Sequence, residues 1–463
     1  MTKLEESDYK DKISTLEISG KRKWIYAIQP KGKLYTLRSY LSYFYLLILF
    51  AIPFISVNGE PLFLFNIPQG KFILFGKIFL PQDFALFGLA MLIFIIFIIL
   101  FTLAYGRIFC GWMCPQTIFL EMVFRRIEYW IEGSANRQKI QDSKNWTTEL
   151  YVRKAVKHII FFAISFLISN IFLSYIIGIK DLLRIINEPV TDHVLGFASI
   201  IVFALVFYFV FAYVKEIVCT VVCPYGRLQS VLLDKNSIVV AYDYLRGEPR
   251  AKSSRNRDST AGDCIDCDLC VQVCPTGIDI RNGTQMECTN CTACIDACNL
   301  MMKKSGGKPD LIKFASENNI KEGTPLKFNY RMGVYTIALV ILMALFSFLI
   351  LSRDLLDVTI LRVPGQILQE NADGTISNLY RMKVINKSSE TLPFKIILPD
   401  SSMKLTYAGN TVDSIQRGAE LELVFFIYRP ASSITERKEI VNIKIDSRNK
   451  IIYSKKIPFI GRY

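Results

Sequence analysis

Apolar and polar positions are unevenly distributed along this chain. Five stretches carry no charged side chain and are almost wholly apolar: Ser39 to Asn58, Phe84 to Leu103, His158 to Ile179, Val194 to Val214 and Met332 to Leu351. An α-helix needs about 20 such residues to cross a hydrocarbon core of about 30 Å. The pattern therefore predicts five transmembrane helices. It excludes a soluble globular protein, a disordered chain and a β-barrel, whose strands would alternate in segments of about ten residues. The apolar stretch Pro61 to Leu80 is broken by Pro68, Gly70, Lys71 and Lys77. It reads as an interfacial loop rather than a sixth span.

Beyond Leu351 the period changes. Tyr380 to Val384, Glu420 to Phe425 and Ile440 to Ile445 alternate apolar with polar, and Asp373-Gly374, Asn386 to Ser389 and Ala408 to Asn410 supply turn chemistry between such segments. A period of two with closely spaced turns predicts an antiparallel sandwich of immunoglobulin type. It has no Cys, His cluster or candidate nucleophile, so its expected role is contact with a partner or structural packing.

Charge sets the orientation. Of 463 residues, 51% are hydrophobic and 21% charged, with a net charge of +14. Lys and Arg number nine before the first stretch, then two, nine, two and sixteen in the successive connections. Cationic segments resist translocation, so this alternation puts the N-terminus in the cytoplasm and the C-terminal domain outside. It accounts for the basic excess without nucleic acid. The polar first 38 residues show no cleavage site, so the first span is expected to serve as its own anchor.

None of the twelve cysteines falls in a segment assigned to the outside, which points to metals or redox chemistry rather than disulfides. Eight lie within 35 residues, as Cys264-x2-Cys267-x2-Cys270-x3-Cys274-Pro275 and Cys288-x2-Cys291-x2-Cys294-x3-Cys298-Asn299. Two-residue spacers wrap three thiolates around a [4Fe–4S] cube. In bacterial two-cluster ferredoxins the fourth thiolate ligates the other cluster. By that rule Cys264, Cys267, Cys270 and Cys298 hold one cluster, and Cys274, Cys288, Cys291 and Cys294 the other. Paired zinc sites are the alternative, but two consecutive 2-2-3 quartets are far more specific to clusters. Asn299 departs from the usual Pro, a change expected to affect local geometry more than ligation.

The other four cysteines repeat one motif, Cys110-Gly-Trp-Met-Cys114-Pro115 and Cys219-Thr-Val-Val-Cys223-Pro224. Each follows the cytoplasmic end of a span. A spacing of i, i+4 would put both sulfurs on one helical face, with the Pro marking the helix end. Ile118, Phe119, Met122 and Ile127 with Arg125 and Arg126, and Leu228, Val231 and Leu232 with Arg227 and Lys235, then predict amphipathic helices in the membrane interface. Soft thiolates suit Cu(I) or dithiol–disulfide cycling; free cysteines are also ordinary buried apolar residues. His158 and His193 lie at span ends and read as interfacial polar residues before metal ligands, and a membrane haem is not expected. Trp24, Trp112, Trp130 and Trp146 fit interfacial anchoring.

The motif set resembles the CcoG/FixG/RdxA family over nearly the whole chain after the first ~20 residues. Gly106-Arg107, Cys110-Gly111, Cys114-Pro-Gln-Thr117, Cys223-Pro-Tyr225, Tyr242-Asp243 and Arg246-Gly-Glu-Pro-Arg250 carry the likeness. So do Cys274-Pro-Thr-Gly-Ile-Asp-Ile-Arg281, Cys294-Ile-Asp-Ala-Cys298 and the segment Asn378 to Asn386. The resemblance implies a multi-pass protein of the bacterial inner membrane that assists assembly of cbb3-type cytochrome c oxidase by reducing Cu(II) to Cu(I). It implies copper held transiently at Cys110, Cys114, Cys219 and Cys223, a cytoplasmic electron donor, and partners among oxidase assembly factors and copper transporters or chaperones. A quinol-dehydrogenase-like membrane subunit and a non-catalytic copper chaperone or scaffold are the alternatives.

The expected layout is thus an N-terminal segment (1–38), a four-span domain with two Cys-x3-Cys-Pro motifs (39–245) and a 2[4Fe–4S] ferredoxin module (246–310). A linker (311–331), a fifth span (332–351) and a periplasmic immunoglobulin-like domain (352–463) follow. The charged, Gly- and Ser-rich stretches Asp243 to Gly262 and Lys303 to Lys327 read as linkers.

Overall fold

The computed structural model describes residues 22–461 apart from 58, 68–69, 80–83, 144–146, 252–260, 325–329, 353–355, 364–367, 372, 389, 399, 401, 410–412, 435 and 448–449. Trp146, most of the N-terminal segment and parts of both expected linkers lie outside these residues. Among the described residues five helices are long and apolar enough to cross a membrane: Lys33–Phe54, Phe87–Tyr105, Thr148–Ile177, Val190–Val214 and Met332–Leu351. The first departs from expectation. Its α-helix runs over Lys33–Ala51 and stops at a 3-10 turn containing Pro53, after which Ser56–Val57 is already a strand. Its early start takes in Arg38, which is buried and donates through Nε to the Gly111 carbonyl at 2.7 Å. The helix thus starts ahead of its buried arginine rather than after it.

The chain divides into two compact units. One comprises residues 1–51, 88–173 and 182–345. Its apolar core joins Leu46, Ile118, Phe119, Met122, Phe124, Phe161, Ile168 and Phe211 from four separate helical segments. Phe124 stacks on Phe211 at 4.6 Å and meets Phe161 edge-on at 4.8 Å. The helical run from Pro115 to Ile131, expected to lie in the membrane interface, is instead buried in this core. Three of its charges are paired: Arg125 with Glu121 (2.6 Å) and Glu216 (3.5 Å), and Glu128 with Lys215 (2.6 Å). Arg22 reaches Glu216 at 3.0 Å, Lys157 reaches Glu132 at 2.9 Å, and Lys154 reaches Asp142 at 2.6 Å. Pairing of this kind offsets the cost of burying these charges. The second predicted amphipathic helix, Pro224–Leu232, does leave Leu228 and Val231 exposed.

The expected linkers are in part ordered structure. Val239–Tyr242 pairs antiparallel with Ile312–Ala315, in register Val239 to Ala315, and short helices cover Tyr244–Gly247 and Glu317–Lys321. This strand pair packs with Cys264, Cys270, Ile280, Ile295 and Met302 into one core. The cysteine-rich module therefore extends from about Val239 to Lys321 rather than from 246 to 310. It is tied to the first apolar helix through Asp296, whose carboxylate accepts from the Leu34 and Tyr35 amides at 3.3 and 2.7 Å. A carboxylate there satisfies otherwise orphaned amides at the helix start.

The second unit comprises residues 52–87, 174–181 and 346–463. The stretch Pro61 to Leu80 contains a three-stranded antiparallel meander, Phe63–Asn66, Lys71–Leu74 and Lys77–Phe79, where a loop was expected. Arg417 pairs with Glu60 at 2.9 Å. The immunoglobulin-like sandwich is present. One sheet orders Lys404–Tyr407, Glu420–Pro430, Thr375–Asn386 and Leu356–Arg362; the other orders Lys395–Ile397, Lys438–Ser447 and Lys450–Ile460. Alternate residues of both sheets, among them Val358, Met382, Phe425, Ile443 and Phe459, form one core. The Tyr380 hydroxyl donates to the Pro458 carbonyl at 2.8 Å, linking the sheets.

Candidate iron–sulfur and thiol site

The two quartets fold alike. In the first loop Asp266 and Asp268 have φ of 50° and 55°; in the second, Asn290 and Thr292 have 54° and 66°. These are the second and fourth residues after Cys264 and Cys288 in turn. Asp and Asn tolerate the left-handed region best, while the β-branched Thr292 is strained there. Each left-handed pair turns the chain around a cavity and ends as the N-cap of a helix, Leu269–Gln272 or Ala293–Ser305. The second helix is much longer. Asn299, which has an amide N–H where Pro275 has none, lets it continue past Cys298. Its side chain accepts from the Asp310 amide at 2.7 Å and donates to the Asp310 carboxylate at 3.2 Å.

The cavities divide the cysteines. One is lined by Cys264, Cys267, Cys270 and Cys298 with Tyr242, Met302 and Leu311; the other by Cys274, Cys288, Cys291 and Cys294 with Val240, Ile278 and Ile280, and Cys270 also borders it. Among the described residues no three His, Cys, Asp or Glu side chains converge to hold a single metal ion. Each quartet lines an apolar space, an arrangement that suits a multi-iron cluster. Burial pushes the Cys270, Cys288 and Cys298 thiols up to about 12. Thiolates there need a cationic group among them, and cluster iron supplies it. The residues fit [4Fe–4S] clusters.

The Cys-x3-Cys-Pro motifs do not place both sulfurs on one helical face. Cys110 lies in the short helix Ile108–Trp112, which ends before Cys114. Cys114 is extended (φ −63°, ψ 124°) and precedes the helix beginning at Pro115. The second copy matches: Cys219 lies in a π-helical turn, and Cys223 (φ −70°, ψ 112°) caps the helix beginning at Pro224. A proline excludes the preceding residue from helical angles and suits the first position of the next helix. Pro115 and Pro224 thus start helices rather than end them. Cys110 lies within electrostatic reach of Cys114 and Cys223, and Cys219 within reach of all three. Burial drives Cys110 up to about 11 and Cys219 up to about 12, with Arg107 opposing the rise at Cys110. The Cys110 thiol donates to Gln229 Oε1 at 2.8 Å, and Gln229 in turn donates to Thr102 (3.1 Å) and Tyr225 (2.7 Å). The Gly226 amide donates to Cys223 Sγ at 3.4 Å.

The first motif abuts the second quartet's loop. A β-carbon at Gly111 would stand 2.4 Å from the Thr289 carbonyl oxygen and 3.0 Å from Asn290. Trp112 Nε1 donates to the Asn290 carbonyl at 3.3 Å, so it serves this junction rather than membrane anchoring. Asn290 Oδ1 accepts from the Val240 amide at 3.1 Å, and Arg107 donates to the Met286 carbonyl. Gln229 and Asn290 received no role from the sequence, and Arg107 entered only as part of the Gly106-Arg107 motif; the Asn between two cluster-type cysteines was the available signal. His158 accepts from or donates to the Tyr208 hydroxyl at 2.9 Å and stacks on Tyr213, while His193 contacts Glu188.

Comparison with known proteins agrees with this geometry. Residues 214–317 match a 4Fe-4S dicluster domain, 87–136 a 4Fe-4S binding domain, and 346–462 the IG-like fold at the C-terminus of FixG. Protein RdxA of Cereibacter sphaeroides is 30% identical over 348 residues, 73% of each chain. Protein RdxB of the same organism is 28% identical over 422 residues, 86% of each. The nitrogen fixation protein FixG of Rhizobium meliloti is 28% identical over 390 residues, 73% of each. Cysteine-lined cavities joined to a bundle of apolar helices define an iron–sulfur electron-transfer protein of the membrane. The chain belongs to the FixG/RdxA/CcoG family.

Proposed function

We propose that this protein is a membrane-bound cupric reductase serving assembly of a cbb3-type cytochrome c oxidase. Cys264, Cys267, Cys270 and Cys298 hold one [4Fe–4S] cluster, and Cys274, Cys288, Cys291 and Cys294 the other. When bound, the clusters supply two one-electron carriers. Cys110, Cys114, Cys219 and Cys223 receive Cu(II) as substrate. One electron from a cytoplasmic donor reduces it to Cu(I), which thiolates favour over Cu(II). Buried thiols release protons as they take up the cation, so binding and reduction reinforce one another.

The observation that carries this reading is the close junction of Gly111 and Trp112 with Thr289 and Asn290. It leaves only a short step between the second quartet and Cys110. The ferredoxin module is read as cytoplasmic and the sandwich as periplasmic. In support, the second unit groups the Lys- and Arg-poor connection after the first span with the C-terminal domain.

The test is Cys110→Ser with Cys114→Ser in the full-length protein, purified without oxygen. Both cluster EPR signals should remain while Cu(II) reduction is lost. Unchanged Cu(I) production would remove these thiolates from the mechanism. Cluster reduction by quinol, with no copper reduction, would point instead to a quinol-dehydrogenase-like subunit.

A further inference from the structure

Arg107 is a buried cation, 2% exposed, and no carboxylate pairs with it among the described residues. Its Nε is enclosed without a hydrogen-bond partner. Its guanidinium donates to the Met286 carbonyl, two residues before Cys288. On the other side Nη2 packs on Gly226, where a β-carbon would approach to 3.1 Å, and the Arg107 carbonyl accepts from the Cys110 amide at 3.1 Å. The guanidinium therefore touches the second quartet's loop and the turn that follows the second Cys-x3-Cys-Pro motif, and its charge acts on Cys110 of the first. An unpaired guanidinium is costly to bury, so the site calls for negative charge beside it. Its field acts on Cys110 and Cys288 alike.

The first quartet also has arginines at its edge, but neutralised ones: Arg246, which acts on Cys298, pairs with Asp263 at 2.6 Å. Arg281, which acts on Cys270, is held by Asp266 (2.6 Å), Asp268 (2.6 Å) and Asp279 (2.7 Å). Three carboxylates around one guanidinium leave this edge net negative. A [4Fe–4S] cube with four thiolates is anionic and gains a further negative charge on reduction. A fixed cation favours the reduced form, and fixed carboxylates disfavour it. Solvent at the exposed Cys267 acts in the opposite sense. Water screens charge far better at that rim than beside Arg107, so the buried charge dominates.

We propose that Arg107 makes the two cavities electrostatically unequal, so that electrons pass from the Cys264 quartet to the Cys288 quartet and collect beside the Cys110 motif. Arg107 is a positioning residue for charge. The step moves one electron from the reduced first cluster to the oxidised second, and no bond or proton changes place. It rests on the two-cluster reading above.

The test is a potentiometric titration with dithionite, followed by EPR, on anaerobically purified full-length protein whose iron and acid-labile sulfide have been measured. Wild type should show two waves. Arg107→Gln should lower the upper wave by at least a tenfold change in the reduction equilibrium, which is about 59 mV for one electron. The lower wave should stay in place, and Arg107→Lys should restore most of the shift. Asp268→Asn, at an exposed position, should raise the lower wave alone, and it reads the same asymmetry if Arg107→Gln fails to assemble. Unmoved waves, equal shifts of both, or an upper wave that answers to Asp268 would overturn the inference. Absence of iron and sulfide from wild type would instead overturn the underlying iron–sulfur reading.

Discussion

Gly111 and Thr289 meet so closely that the space between them admits only a hydrogen atom: a β-carbon at 111 would lie 2.4 Å from the Thr289 carbonyl oxygen. The obstacle is backbone, which cannot rotate aside. Gly111→Ala should therefore separate the first thiol motif from the Asn290 loop. Overpacking of this kind costs about 1–3 kcal/mol. Stopped-flow mixing of reduced protein with Cu(II) should show slower cluster reoxidation at full iron content. Wild-type kinetics in that variant would mean the junction is not the electron route.

Glu128 provides a pH prediction. Burial alone would push its carboxyl up, but Lys215 and Lys157 outweigh burial and hold it below the ordinary carboxylate range. Asp142 is held low in the same way by Lys154 and Tyr26. A lowered folded value means that the unfolded chain binds protons first as pH falls. Stability from these groups is therefore complete above about pH 4, the ordinary Asp and Glu value, and is lost below it as pH passes through the lowered values. Glu128→Gln should lose about 3–5 kcal/mol at neutral pH, because it strands buried lysine charge. It should also flatten the acid limb of thermal unfolding followed in detergent by tryptophan fluorescence. An acid limb as steep as that of wild type would show that Glu128 does not titrate with folding.

Asn299 predicts a local effect. Proline at this interior helical position removes a backbone hydrogen bond, at about 3 kcal/mol or more, and severs the link to Asp310. It also drives Cys298 out of helical angles. Asn299→Pro should lower iron content toward half that of wild type, with the quartet containing Cys298 emptied first. Full iron loading, measured together with acid-labile sulfide, would show that the length of this helix is immaterial to the cavity.

Much of this architecture was legible in one dimension. The spans were visible because twenty uncharged residues have few other uses, and the sandwich because Tyr380 to Val384 and Ile440 to Ile445 alternate cleanly. What escaped depended on partners distant in sequence. Arg38 looked like a boundary charge until the Gly111 carbonyl received it. Arg125 and Arg126 looked like the wet face of an interfacial helix, but Glu216 pairs with Arg125 inside the bundle and Arg126 donates to Ser39. The stretches around Asp243 and Lys313 looked like linkers because charge and glycine content say nothing about strands that pair across some seventy residues. At the site, cysteine spacing indicated the quartets, whereas the bend at Cys114 and Cys223 follows from the prolines that come next.

Of the eight quartet thiols, Cys267 alone is exposed. Oxidative attack on sulfur follows accessibility. In air, damage should therefore begin at that corner and advance inward, spending the outer cavity while the one beside the membrane helices survives.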